Sequence, residues 1–140
     1  MRIKWLTLFL CSFLPVYNAS SPTLLQPGQV ITLWSAETPT PGTGTTAASQ
    51  QVALALPAGH GGFAIDGKFS GAPGAFEVDV QVAAVDSDTN YQTVSSGNIT
   101  TVDSTNNTFH FDGKTVKAKF VRLLMRSRTN SVSVTATVTG

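Results

Sequence analysis

From Gln51 onward, apolar and polar residues alternate with a period of two. Val52, Leu54 and Leu56 open the pattern, and Phe63, Ile65 and Gly67 resume it, continued by Lys68-Phe69-Ser70. The most regular stretch sets Phe76, Val78, Val80 and Val82 against Glu77, Asp79 and Gln81. In a pleated strand, successive side chains point to opposite faces, so this predicts apolar-in, polar-out strands. Tyr91 to Val94 and Ile99 to Val102 read as short strands separated by Ser95-Ser96-Gly97-Asn98. Phe109 and Phe111 flank His110 in another, and Val132, Val134, Ala136 and Val138 alternate with Ser and Thr in the last. Turn formers punctuate the series at Pro57 to Gly62, Gly71-Ala72-Pro73-Gly74, Asp86 to Asn90, Asp112-Gly113 and Arg128-Thr129-Asn130.

Val116 to Arg126 changes parity. Val116, Ala118 and Phe120 are apolar at even positions, whereas Val121, Leu123 and Met125 are apolar at odd ones, with Leu124 breaking the second set. A β-bulge after Phe120 would produce this slip, and so would a strand buried on both faces. Lys117 and Lys119 between the first set are complementary to Glu77 and Asp79, which suggests that these two strands pair. No apolar helical period survives the Gly, Pro and β-branched content past residue 20. Roughly seven to nine short strands with turns about every 8–12 residues predict an all-β fold, an antiparallel β-sandwich of jelly-roll or Ig-like type.

The chain before Gln51 reads differently. Arg2 and Lys4, an apolar stretch from Trp5 to Tyr17, and Asn18-Ala19-Ser20-Ser21 have the three parts of a secretory signal. The stretch is shorter than the about 20 apolar residues a membrane span needs, so no stable insertion of the mature chain is expected. Residues 21–50 read as an extended arm, with the β-prone run Val30-Ile31-Thr32-Leu33-Trp34, followed by a Pro/Gly/Thr-rich stretch that is either a linker or a long surface loop within one domain. The organisation expected is therefore a signal-like segment over 1–20, an arm and linker over 21–50, and a β-sandwich domain over 51–140.

Composition narrows the chemistry. Of 140 residues, 12% are charged and 41% hydrophobic, with a net charge of +1. The charged share is about half that of an ordinary globular protein, and the apolar share is too high for a disordered chain. Near-neutrality argues against nucleic acid as a partner. The single cysteine, Cys11, excludes an intrachain disulfide framework and a Cys-based zinc site.

Individual candidates carry little catalytic signal. His60 lies in Gly59-His60-Gly61-Gly62, a turn without the Lys and Ser/Thr of a phosphate loop. Asp86-Ser87-Asp88-Thr89-Asn90 begins like a calcium loop but has Tyr91 and Gly97 where that loop needs Gly and a bidentate Glu. Neither histidine stands near an acidic cluster, no Gly-x-Ser-x-Gly elbow occurs, and Glu77 and Asp79 read as a solvated ion-pair face. No catalytic residue, metal or cofactor is expected. Lys117, Lys119, Arg122, Arg126 and Arg128 form the one concentration of charge, either a solvated face or a surface for an acidic partner. Asn18, Asn98 and Asn106 begin Asn-x-Ser/Thr sequons.

The run Phe69-Ser70-Gly71-Ala72-Pro73-Gly74-Ala75-Phe76-Glu77-Val78-Asp79-Val80-Gln81, followed by Ala118-Lys119-Phe120-Val121-Arg122 and the closing Ser/Thr-Val alternation, resembles small virion proteins of tailed bacteriophages. The resemblance covers about residues 62–138. It implies a non-enzymatic structural protein of the virion, such as a head decoration, head-fibre or tail accessory protein, forming a homo-oligomer and binding other virion proteins. Leu33, Trp34, Lys117, Lys119, Arg122 and Arg126 are the expected partner-contact residues, with Trp34 alternatively filling the core. The signal-like segment favours a competing reading, a secreted β-sandwich binding module of adhesin-like or carbohydrate-binding type.

Overall fold

The computed structural model describes residues 22–54 and 62–140. The signal-like segment and His60 lie outside the described residues.

Alternating sequence becomes two stacked sheets. One carries β1 (Thr23–Leu25), β3 (Val52–Leu54), β8 (Phe120–Arg128), β5 (Phe76–Ala83) and β6 (Gln92–Ile99), side by side in that order. The other carries β2 (Val30–Glu37), β9 (Val134–Thr139), β4 (Ala64–Phe69) and β7 (Thr108–Asp112). Every pairing is antiparallel except β1 with β3. The protein is an all-β sandwich.

The core forms where the inward residues of both sheets meet. Val78 and Val80 of β5 and Val121, Leu123 and Met125 of β8 face Ile65 and Phe69 of β4, Phe109 and Phe111 of β7, and Val134, Ala136 and Val138 of β9. Gly67, between Ile65 and Phe69, stands opposite Phe109. A Cβ at Gly67 would come within 2.0 Å of the Phe109 ring, so the missing side chain makes room for the aromatic one. The turn between β4 and β5 crosses from one sheet to the other. Gly74 takes φ +71° there, and the Asn130 amide donates to the Pro73 carbonyl at 3.1 Å while the Thr129 amide donates to Ala75 at 2.9 Å. Two turns are thereby bound together at one end of the sandwich.

Three expectations need correction. The sandwich does not begin at Gln51: β2 pairs with β9 and β1 with β3, so part of the expected arm supplies a strand to each sheet. The Pro/Gly/Thr run after β2 is a connection within the domain, because the apolar strands before it need the same core. Leu33 and Trp34 are 2% and 0% exposed and belong to that core, so they are not partner contacts. Finally, the two short strands expected around Ser95–Asn98 are one strand, β6. It bulges between partners Thr93 and Asn98, with Ser96 at φ +62°, which disrupts the ladder along a sheet edge.

The bulge expected after Phe120 is absent: Phe120 and Val121 pair with Ala83 and Val82 in unbroken register, and residues 116–119 precede the strand. Val121 to Met125 are buried without a break, so that stretch is covered on both faces. A different bulge lies further along: Val78 pairs with Met125 and Glu77 with Ser127, leaving Arg126 as the extra residue.

Two stability changes follow. Gly67→Ala is expected to cost about 1–3 kcal/mol in urea denaturation, because Phe109 is packed and cannot withdraw. Trp34→Ala is expected to cost about 3–5 kcal/mol. That loss should be the same at every protein concentration, which distinguishes a core residue from an interface anchor.

Candidate functional site

The outward face of the β5–β6–β8 sheet holds most of the buried polar chemistry. Asp79, Gln81 and Arg122 point away from the apolar core, yet they are only 2%, 6% and 4% exposed. Strand register brings them together. Asp79 stands opposite Asn98 on one side and Leu124 on the other, and Gln81 opposite Thr93 and Arg122.

Two neighbouring clusters result. In the first, the Asp79 carboxylate accepts from Asn98 Nδ2 at 2.8 Å, Thr93 Oγ1 at 2.9 Å and Arg126 Nε at 2.5 Å. Asn98 Nδ2 also donates to Glu77 Oε1 at 2.7 Å. Burial by itself raises the Asp79 pKa, but the hydrogen bonds from Asn98, Arg126 and Thr93, with the Arg126 charge, outweigh it and hold the carboxyl below its ordinary value. In the second, Arg122 Nε donates to Gln81 Oε1 at 2.9 Å and Nη1 to Asp88 Oδ1 at 2.6 Å. The guanidinium lies 4.0 Å over the Tyr91 ring. Tyr91 in turn donates to Asp86 Oδ1 at 2.9 Å. Burial first, then that hydrogen bond and the Asp86 charge, hold the tyrosine pKa well above its ordinary value.

The arrangement fastens the 86–91 turn to the sheet and occupies its polar atoms. Asp86 and Asp88, the first carboxylates of the calcium-like run, each accept from a side chain of the chain itself. Among the described residues, no three His, Cys, Asp or Glu side chains gather as a metal site would require. The acid pair Glu77 and Asp79 shares Asn98 and does not meet Lys117 or Lys119. The expected strand pairing is correct, but its register puts Arg126, freed by the bulge, beside Asp79.

Of the six expected contact residues, Arg122 and Arg126 therefore belong to this network, and Leu33 and Trp34 to the core. Lys117 and Lys119 are exposed and line a separate recess of about 540 Å³ at the end of β5. Gln81, Tyr91, Thr93 and Asn98 carry no sign of a shared site in the sequence, since cross-strand partners become visible only with the register. The same holds for a pair on the other sheet. His110 Nδ1 lies 2.8 Å from Asp66 Oδ1 on adjacent strands, in a shallow depression of about 510 Å³ that also takes in Lys68, Thr108, Thr135 and Thr137.

The chain matches no protein-family model, and no curated protein or solved structure matches it. Among the described residues, no helix is long and apolar enough to cross a membrane.

The low Asp79 pKa has a stability consequence. Because the unfolded chain binds that proton more readily, the contribution of Asp79 is complete above about pH 4 and is lost as the pH falls through its folded value. Asp79→Asn is expected to lower stability by about 1–3 kcal/mol at pH 7 and to flatten the acid limb of a stability–pH curve measured by urea denaturation. Some acid dependence should remain, since turn hydrogen bonds, chiefly from the Thr105 amide, also hold the exposed Asp103 low.

Proposed function

We propose that this protein is a non-enzymatic structural component of a tailed-phage virion, acting by self-assembly and by binding the particle surface. The observation that carries this reading is the closed polar network of the β5–β6–β8 face. Its buried charges are matched within the chain, so the face is rigid and shut to small-molecule chemistry, while remaining polar toward a neighbour. A second feature supports it. The segments that resemble small virion proteins fall on the inter-sheet turn at 71–75, on the neighbouring strands β5 and β8, and on β9 of the other sheet.

One observation favours the secreted binding module instead. The Asp66–His110 pair among threonines offers donors and acceptors of the kind that sugar hydroxyls require. The two readings part at one measurement. Mass spectrometry of purified phage particles is expected to find the chain at a fixed stoichiometry, and light scattering of the isolated protein to give a defined oligomer. Absence from particles together with a monomer in solution would overturn the virion reading.

A further inference from the structure

At the end of the β5–β6–β8 sheet, β5 runs out at Ala83 while the chain approaches β8 through Lys117-Ala118-Lys119. The Lys119 amide donates to the Ala83 carbonyl at 3.2 Å, and the Leu54 amide donates to the Lys119 carbonyl at 2.7 Å. These bonds fix the base of the recess from both sides. Val82, Ala83, Ala84 and Ala118 line it with small apolar side chains, and Asn90, in the turn before β6, and Gln92, at the start of β6, complete the lining. Val85, next in the chain, is 60% exposed.

The two lysines in this recess are electrostatically unmatched. Lys114 pairs with Asp112, Arg122 with Asp88 and Arg126 with Asp79. Among the described residues, no carboxylate lies within ion-pair distance of Lys117 or Lys119. Residues 1–21 and 55–61 contain no Asp or Glu, so they cannot supply one. A pair of free ammonium groups over an apolar floor, beside amide side chains, is complementary to a polypeptide that carries both carboxylates and small apolar side chains. It is a poorer match for nucleic acid, which a nearly neutral chain with two lysines here would hold weakly.

We propose that this recess is a docking site for an extended acidic segment of a neighbouring protein. Its carboxylates are taken by Lys117 and Lys119, and an apolar side chain lies over Val82, Ala83, Ala84 and Ala118. The idea goes beyond the virion reading, and peptide binding to the isolated chain tests it separately from presence in particles.

The probe is a fluorescent peptide alternating Glu or Asp with Val or Ala, titrated into the full chain at low salt, with its Gln/Asn counterpart as control. The acidic peptide is expected to bind, the control to bind about tenfold more weakly, and added salt to weaken the complex. The double variant K117E/K119E should weaken acidic-peptide binding by about tenfold or more, with circular dichroism unchanged because both side chains are exposed. Amide NMR shifts on binding should centre on Ala83, Ala84, Ala118 and Lys119. Equal binding of both peptides, indifference to the double variant, or no binding would overturn the proposal. So would displacement of the acidic peptide by millimolar inorganic phosphate or by a single-stranded oligonucleotide, since either would mark a general anion site.

Discussion

A strand between two neighbours has no free edge, and β8 has no free face either. On one side, Val121, Leu123 and Met125 enter the apolar core; on the other, Arg122 and Leu124 are buried away from it. A guanidinium removed from water must be matched, or its desolvation would cost several kcal/mol. Much of what is distinctive here answers that demand. Gln81, Asp88 and Tyr91 surround Arg122, and the 86–91 turn is held to the sheet in doing so. Leu124 is dealt with differently. Beyond β3, residues 42–49 run along the edge of β8, with Gly42 donating to the Met125 carbonyl and Ser49 to that of Leu123. Ala47 is buried in that segment.

The same double burial explains the bulge. A strand that must present apolar groups inward and matched polar groups outward has to keep strict register with β5. By leaving Arg126 unopposed in the β5 ladder, β8 frees one cation to reach Asp79 without disturbing the inward set. Asp79 then collects three donors, enough to keep a nearly inaccessible carboxylate ionised. Asn98 spends its amide on two carboxylates at once, which leaves that sequon nitrogen embedded in the sheet's polar surface. The sequon nitrogen of Asn106 sits on an exposed turn with one acceptor, Asp103.

How much of this could be seen in the residues alone depends on range. Period-two alternation is local, so strands such as β4, β5 and β9 and the sandwich they build were legible from Ile65, Val78 or Val134 and their neighbours. The pairing of β5 with β8 was reached from the charges of Lys117 and Lys119, although those lysines precede β8 and do not face Glu77 or Asp79. What could not be read was register, because a shift of a few residues exchanges Lys119 for Arg126 without altering composition or pattern. Trp34 shows a second limit. Its neighbours Pro39, Pro41 and Gly42 signal a boundary, yet the strand before them is held by β9, about a hundred positions away in the chain. Lys117 and Lys119 were legible as charges, but the apolar recess beside them is made by strand ends that only the fold brings together.

That distant pairing governs the order in which the molecule can be made. The ladder of β2 rests on β9, the last strand among the described residues, and β1 leans on β3, which leans in turn on β8. Closing such long loops costs entropy before any contact repays it. On the ribosome, Leu25, Ile31, Leu33 and Trp34 therefore emerge well before β8 and β9 and wait, uncovered, until those strands follow. Over that interval the nascent chain is a greasy, unfinished half-shell, and its closure waits on β9.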